Sequence, residues 1–177
     1  MLGKTNVFLI GPMGSGKTAV GRQLARTLGR PFHDSDAEIE RRTGVDIPFI
    51  FEKEGEAGFR QREHEAIAAL SALAGIVLAT GGGAVLLPEN RRLLAERGCV
   101  VYLKTSVAQQ ADRVRYGRNR PLLSAGGDAT TRLGQMMDVR APLYAGIADV
   151  VVSTDGRRVS AVVEQVLRAL AASSSAR

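Results

Sequence analysis

A glycine-rich loop near the start of the chain has the residue types and spacing that hold a nucleoside triphosphate. Residues 11–18 read GPMGSGKT, a complete Walker A motif, with an apolar run at 7–10 before it and a helical pattern after it. That strand–loop–helix context is what the motif requires. Backbone N–H groups in such a loop converge on phosphates, the lysine reaches the β- and γ-phosphates, and the Thr18 hydroxyl can ligate Mg²⁺. The residues predicted to bind the nucleotide here are Gly14, Ser15, Gly16, Lys17, Thr18 and Ala19.

Two aspartates follow the short apolar stretch at 31–33. Phosphate-loop proteins use a carboxylate at the end of a strand to orient magnesium, so Asp34 is predicted on the metal side and Asp36 toward an acceptor hydroxyl. Helix capping fits the same residues, because Ser35 followed by Glu38 matches a capping box and both aspartates complement a helix dipole. Both interpretations can hold together, since a helix start fixes its carboxylates firmly.

Three further groups have more than one interpretation. The glycines at 81–83 follow a predicted strand, where backbone amides can approach an anion or a polyol, or where the chain simply turns. Arg60 and Glu63 lie one helical turn apart and can pair, either in a site or as a surface salt bridge. His33 and His64 have no second ligand at metal-binding spacing, which favours structural roles.

Apolar runs and helical patterns alternate along the chain, and they predict the frame that positions these groups. Continuous apolar strands separated by helices are typical of a parallel sheet covered on both faces. Strands are predicted at 6–10, 31–33, 76–79, 99–103 and 150–152. Helices are predicted at 17–28, 37–42, 57–73, 89–97, 107–114, 130–145 and 158–172.

Length and composition narrow the class of protein. A chain of 177 residues fits one domain, and no apolar run approaches the ~20 residues that span a bilayer. The chain enters its first strand at once, so we expect no signal peptide. The single cysteine, Cys99, cannot form an internal disulfide, and its place in an apolar run favours a buried thiol over a reactive one. We expect a cytoplasmic protein without membrane contact.

The net charge of +6 comes mostly from arginine. No basic stretch is interleaved with aromatic residues and tryptophan is absent, which argues against a nucleic-acid partner and favours small anionic ligands. Four arginines fall between 113 and 120. The glycine-rich stretch 115–127 is predicted to be a mobile lid over the phosphates, with a plain surface loop as the alternative. The end of the chain, 173–177, is expected to be a frayed tail.

Taken in order, six segments resemble the shikimate kinase family, a member of the nucleoside-monophosphate-kinase-like group. The segments are 11–18, 34–36, 58–60 together with Glu63, 80–83, 120–123 and 140–144. The Walker A motif alone leaves many families open, whereas the ordered set of six is specific. The resemblance extends over nearly the whole chain and favours ligand-binding roles for Arg60 and for the glycines at 81–83.

The resemblance implies a kinase that moves the γ-phosphoryl group of ATP to the 3-hydroxyl of shikimate with Mg²⁺, on the route to chorismate and the aromatic amino acids. It implies a three-layer P-loop kinase fold with a five-stranded parallel sheet in the order 2-3-1-4-5, flanked by helices. A single domain, 1–177, would contain a substrate-binding segment at 34–63 and a lid at 115–127. The protein would be a monomer.

The resemblance also implies roles for single residues. Lys17, Asp36 and Arg120 would be catalytic, with Asp36 either taking the hydroxyl proton or only orienting that hydroxyl. Metal contacts would come from Thr18 and Asp34. Shikimate would contact Asp36, Phe51, Phe59, Arg60, Glu63, Gly81, Gly82, Gly83 and Arg140. Beyond the phosphate loop, the nucleotide would contact Arg113, Arg120 and Arg157, with Arg158 as the alternative alignment of the last.

Other activities stay open. A gluconate kinase-like enzyme of the same fold would also bind a substrate with a carboxylate and hydroxyls. A nucleotide-dependent regulator would have kept the fold and lost catalysis, but no acceptor-side residue is missing here. A nucleic-acid-binding ATPase is a third option because of the positive charge. The Arg60–Glu63 pair and the glycines at 81–83 favour shikimate.

Overall fold

Five short strands form one sheet in the computed structural model, which describes residues 6–114 and 128–175. The strands are β1 (Val7–Ile10), β2 (Phe32–Asp34), β3 (Val77–Ala79), β4 (Cys99–Lys104) and β5 (Val150–Ser153). Their order is β2-β3-β1-β4-β5, and every neighbouring pair is parallel. The sheet order implied by the resemblance is therefore confirmed, and each predicted strand end agrees within about one residue.

Helices cover both faces of the sheet and make three layers. They are α1 (Lys17–Leu28), α2 (Ser35–Thr43), α3 (Ile47–Ser71), α4 (Pro88–Arg97), α5 (Val107–Val114), α6 (Ala129–Ile147) and α7 (Val159–Ser175), with a 3-10 helix at Ala84–Leu86. Alternate residues of β1 enter opposite cores. Leu9 packs with Leu24 of α1 and Val166 of α7. Phe8 packs with Ile67 of α3 on the other face, where α4 and α6 also contribute. Burial from both sides explains the continuous apolar strands.

Helix α3 bends at Gly55, whose φ of 70° and ψ of −175° are not helical. The helix predicted at 57–73 is the second arm alone, and the first arm is a finding of the structure. Consecutive apolar residues at 49–51 hide the helical period in that arm. Its start is nevertheless capped, because the Asp46 carboxylate accepts a hydrogen bond of 2.9 Å from the Phe49 N–H.

A small separate core attaches α2 and the first arm of α3 to the rest of the molecule. It contains Ile39, Ile50, Phe59 and Ala66, with Phe51 packed against it. The residues between β2 and the second arm of α3 therefore fold as a packed unit beside the sheet edge. This unit contains much of the segment predicted to bind the substrate.

Three smaller expectations concern the cysteine, the end of the chain and membrane-spanning helices. Cys99 is half-buried at the first position of β4, so the predicted buried thiol is only partly enclosed. Helix α7 continues to Ser175, which takes in residues 173–175 of the predicted tail. Its last turns are supported by the Ser173 hydroxyl, which donates to the Ala169 carbonyl. No helix among the described residues is long and apolar enough to cross a membrane.

Candidate active site

The phosphate loop lies at the carboxyl end of β1, the central strand of the sheet. Gly14 and Gly16 have φ angles of 77° and 85°, in the left-handed region that glycine occupies without strain. Gly16 is also the residue before α1, so the helix begins directly at Lys17. The first-turn N–H groups of α1 are thus directed at the loop, the arrangement that binds anions.

The Lys17 ammonium is fixed within this loop. Its Nζ donates hydrogen bonds of 2.7 Å to the Gly11 carbonyl and 2.8 Å to the Pro12 carbonyl. The Ser15 hydroxyl lies 3.3 Å from the same nitrogen. The lysine is nearly buried, so its charge acts in a partly desolvated setting.

Asp34 joins the loop to the start of α2 through both of its carboxylate oxygens. Oδ2 accepts a hydrogen bond of 2.9 Å from the Thr18 hydroxyl. Oδ1 accepts from the N–H groups of Asp36 and Ala37 at 2.9 and 3.1 Å, which makes Asp34 the N-cap of the helix. The predicted metal-side and capping positions therefore coincide in one carboxylate.

The predicted capping box is wrong, because Ser35 is not the cap. Ser35 is fully buried, and its hydroxyl accepts a hydrogen bond of 3.0 Å from the Gly81 N–H. Glu38 turns away from the helix start and pairs with Arg41 and Arg42 at 2.9 and 2.7 Å. The hydrogen bond from Arg41 holds the pKa of Glu38 at about 2, well below its ordinary value. Ser35 instead ties α2 to the glycine segment.

Arg60 and Glu63 form a buried ion pair on the second arm of α3. Arg60 Nη1 donates a hydrogen bond of 2.7 Å to Glu63 Oε2, and Glu63 is completely buried. A longer contact of 3.3 Å joins Arg60 to the half-exposed Glu56. The surface salt-bridge interpretation is therefore wrong. Burial raises the pKa of the Glu63 carboxyl, and the charge and hydrogen bond of Arg60 oppose that rise.

The glycines at 81–83 form a tight turn against which charged side chains lie. A Cβ atom on Gly83 would be 2.4 Å from both terminal nitrogens of Arg60. A Cβ on Gly81 would lie 2.7 Å from Glu63 Oε1 and 2.9 Å from Asp36 Oδ1. The absence of side chains at these positions lets the ionic groups approach the backbone closely.

Gly82, the middle residue, lies between the phosphate loop and α6. A Cβ on Gly82 would be 3.2 Å from the Met13 backbone nitrogen and 3.6 Å from Arg140 Nη1. Arg140 is nearly buried, and this burial lowers the pKa of its guanidinium. The Tyr144 hydroxyl donates a hydrogen bond of 2.5 Å to the Gly82 carbonyl. The site therefore combines β1, β3, α3 and α6 around one turn.

A cavity of about 490 Å³ opens between the phosphate loop and the two aspartates. Gly81 and Gly82 form part of its wall, together with Lys17, Thr18 and Arg113. In the described part of the chain, six other predicted acceptor-side residues do not line this cavity. They are Phe51, Phe59, Arg60, Glu63, Gly83 and Arg140.

Sequence reasoning missed several residues of this wall. Glu40 lies one helical turn after Asp36 on α2, and its Oε1 accepts a hydrogen bond of 3.1 Å from the Ile47 N–H. The i, i+4 spacing from Asp36 is the signal that could have identified Glu40. Met13, which lies inside the Walker A motif, and Ile47, which no sequence pattern singles out, also line the cavity.

Phe51 and Phe59 pack against each other, with ring centroids 4.8 Å apart. The Arg60 guanidinium lies 5.2 Å from the centroid of the Phe59 ring. Phe59 thus supports Arg60 from the side of the small core, and Phe51 packs behind Phe59. His64 has a structural contact, because its Nδ1 lies 2.7 Å from Asn90 Oδ1.

The predicted nucleotide-side arginines differ in their placement. Arg113 Nη1 donates a hydrogen bond of 2.7 Å to the Gly14 carbonyl and so lies on the phosphate loop. Arg157 is exposed and donates to Gln165 of α7, which does not distinguish it from Arg158 as an adenine contact. Arg120 and the whole predicted lid, 115–127, lie outside the described residues.

Comparisons with known proteins agree on one family. A family model described as shikimate kinase matches residues 13–171. The shikimate kinase of Nitrosococcus oceani is 56% identical over 165 residues, which are 93% of this chain and 86% of the relative. That of Methylococcus capsulatus is 54% identical over 169 residues, 96% of this chain and 94% of the relative.

Solved structures give the same result. A shikimate kinase from Acinetobacter baumannii in complex with shikimate has a TM-score of 0.92 at 45% identity, covering 95% of this chain and 93% of that one. A gluconokinase from Sinorhizobium meliloti has a TM-score of 0.58 at 19% identity, covering 94% of this chain and 91% of that one. The second likeness extends to the fold alone.

Proposed function

The chain belongs to the shikimate kinase family of ATP-dependent kinases, and we propose that it transfers the γ-phosphoryl group of ATP to the 3-hydroxyl of shikimate. The products would be shikimate 3-phosphate and ADP. The observation that carries the proposal is the close approach of the two halves of the site. The glycine turn that meets Arg60, Glu63 and Arg140 lies against the Met13 backbone of the phosphate loop. An acceptor bound there would lie next to the phosphates.

The nucleotide would be held by the phosphate loop, from Gly14 to Ala19, with Arg113 beside it. Thr18 and Asp34 fit a magnesium ion, because a hydroxyl and a carboxylate 2.9 Å apart offer the hard oxygen ligands that Mg²⁺ prefers. Mg²⁺ commonly binds through one or two protein groups together with phosphates and waters. When bound, it would neutralise part of the negative charge on the phosphates.

Shikimate would be oriented by charge. Its carboxylate matches two nearly buried arginines, Arg60 and Arg140, and a guanidinium binds a carboxylate through paired hydrogen bonds. Arg60 Nε is buried without a hydrogen-bond partner among the described residues, which leaves a donor for an incoming anion. Asp36, on the cavity wall, would contact the acceptor hydroxyls.

Phosphoryl transfer depends mainly on positioning and on stabilising the transferring charge. Lys17 would balance that charge from the loop, and we propose that Arg120 does so from the lid. Asp36 would either take the proton of the attacking hydroxyl or orient that hydroxyl. Exclusion of water by the lid would limit hydrolysis of ATP.

The remaining expectations about partners are also proposals. We propose a monomer, as the family resemblance implies. A cytoplasmic location fits a chain with one cysteine and no possible internal disulfide. Small anionic ligands account for the buried arginines, so we propose no nucleic-acid partner.

Coupled ADP release tests the proposal. The purified protein is assayed with Mg-ATP, with and without shikimate, beside gluconate and nucleoside monophosphates. Turnover that depends on shikimate and is lost in Lys17→Ala is expected, because the variant removes the loop's cation. Turnover only with gluconate would overturn the assigned acceptor, and no turnover with any acceptor despite ATP binding would favour the regulator.

A further inference from the structure

Tyr144 is a completely buried phenol whose hydroxyl lies at the edge of the site. Its ring belongs to the core cluster on the α3, α4 and α6 side of the sheet and packs against Tyr102, with ring centroids 5.1 Å apart. Its hydroxyl, by contrast, donates to the Gly82 carbonyl at 2.5 Å. Packing alone requires only the ring, because phenylalanine would fill the same space. The hydrogen bond to the glycine turn, rather than packing, therefore accounts for the hydroxyl.

Arg140 lies one helical turn before Tyr144 on α6 and shares its face. Its guanidinium is a charged neighbour of the Tyr144 phenol, and Arg140 Nη1 lies near the Gly82 backbone, 3.6 Å from where a Cβ on Gly82 would be. A phenol has one proton, which is given to the Gly82 carbonyl, and a guanidinium can only donate. Any hydrogen bond between the two side chains therefore runs from an Arg140 N–H to the Tyr144 oxygen.

With that hydrogen bond, the contacts form a directional chain from Arg140 through Tyr144 to the Gly82 carbonyl. Burial holds the pKa of the Tyr144 phenol well above its usual range, so the phenol remains a neutral donor at physiological pH. A positive donor on one side of a hydroxyl strengthens the hydrogen bond that the hydroxyl gives on the other. The charge of Arg140 and the backbone of the glycine turn are thus linked through one oxygen atom.

We propose that Tyr144 is a positioning residue for shikimate, which holds the Arg140 guanidinium and the Gly82 backbone in the arrangement that binds the acceptor. The inference rests on the proposed function. A hydrogen bond from one Arg140 N–H to the phenol would restrict the rotation of Arg140 and leave its other donors for a ligand. The same hydroxyl fixes the turn on which Arg60 lies, at Gly83. One residue behind the site would therefore orient both arginines.

Tyr144→Phe tests this role, because it removes the hydroxyl and keeps the ring. We expect the KM for shikimate to rise about tenfold, the effect of losing roughly one charge-assisted hydrogen bond. The KM for ATP should stay within about twofold, since the loop contacts of the nucleotide are unchanged. Calorimetric titration with shikimate, at low temperature and with ADP present to stabilise the fold, measures the same loss directly in the folded protein.

Tyr102→Phe is the matched control, since it removes a second phenol from the same cluster and should leave both KM values within about twofold. Equal effects of the two variants would mean that packing is responsible, and would overturn the inference. In an Arg140→Ala background, Tyr144→Phe should raise the KM for shikimate by less than it does alone, because part of its effect runs through Arg140. A full tenfold change there would show that Tyr144 does not act through Arg140.

The wild-type protein separates this inference from the proposed function. Turnover that does not depend on shikimate would overturn the proposed function, and the inference with it. Shikimate-dependent turnover in the wild type, with an unchanged KM for shikimate in Tyr144→Phe, would overturn the inference alone.

Discussion

The Thr18 hydroxyl donates a hydrogen bond of 2.9 Å to Asp34 Oδ2, while Oδ1 of the same carboxylate caps α2. Asp34 thereby connects the first turn of α1 to the first turn of α2. The position of this carboxylate, which we propose to lie on the metal side, does not depend on a flexible loop, because the backbone N–H groups of a helix hold it. Its electrostatic and capping contributions can be separated by substitution.

Asp34→Asn should impair metal use without unfolding the protein. Asparagine caps helices as well as aspartate does, so the free energy of unfolding should change by less than about 0.5 kcal/mol. The lost charge should raise the Mg²⁺ concentration for half-maximal rate by about 10- to 100-fold, measured by coupled ADP release. Asp34→Ala is the control: it should also lose the helix cap, which should lower the free energy of unfolding by about 1 kcal/mol. An unchanged Mg²⁺ dependence in Asp34→Asn would contradict the assigned role.

Glu63→Gln should destabilise the protein far more than Glu56→Gln. Both glutamates contact Arg60. Glu63 is completely buried, and its Oε2 lies 2.7 Å from Arg60 Nη1. The Glu56 side chain is 53% exposed, and its Oε1 lies 3.3 Å from Arg60 Nη2. Breaking a buried pair leaves a desolvated charge unbalanced, so we expect a loss of about 2–4 kcal/mol in urea unfolding. The exposed pair should contribute less than about 0.5 kcal/mol. Equal losses would show that burial does not govern the pair.

Glu38→Gln should have an effect that depends on pH. The hydrogen bond from Arg41 lowers the folded-state pKa of Glu38 to about 2 from 4.5. The folded protein therefore binds this proton less readily than the unfolded chain, so the stabilisation is present above pH 4.5 and is lost as the pH falls toward 2. At neutral pH the variant should lose less than about 1 kcal/mol.

Thermal unfolding of wild type and Glu38→Gln across this pH range measures the difference. Glu52→Gln is the comparison, because Glu52 is largely exposed and its contact with Lys53 is 3.3 Å long. That variant should change stability by less than about 0.5 kcal/mol. A Glu38→Gln effect of constant size down to the lowest pH at which the protein folds would mean that ionisation of Glu38 contributes nothing.

The sheet could be predicted from the sequence because burial from both sides requires continuous apolar strands, as in β1. The phosphate loop followed from spacing alone. The first arm of α3 could not be predicted in the same way, since Gly55 interrupts the helix and the consecutive apolar residues at 49–51 hide its period. Local patterns lose their signal where a helix bends around a separate small core.

Local sequence patterns also could not predict contacts between distant segments. The i, i+4 spacing of Arg140 and Tyr144 predicts a shared face, but not that the phenol reaches the Gly82 carbonyl, 62 positions earlier in the chain. Ser35 looks like a helix cap in sequence because its partner at Gly81 becomes visible only after β2 pairs with β3. The Ser35 hydroxyl therefore bridges to Gly81, and the Asp34 carboxylate caps the helix.

Gly83→Ala should weaken shikimate binding and leave nucleotide binding unchanged. The backbone at Gly83, with φ −92° and ψ 3°, is accessible to alanine, so no strain arises there. The added Cβ would lie 2.4 Å from both terminal nitrogens of Arg60, which would have to move. In coupled assays the KM for shikimate should rise about tenfold or more, with the KM for ATP within about twofold. Gly134→Ala in α6, with nothing within 4 Å of its Cβ, should preserve both values. An unchanged KM for shikimate in Gly83→Ala would show that Arg60 does not act from this position.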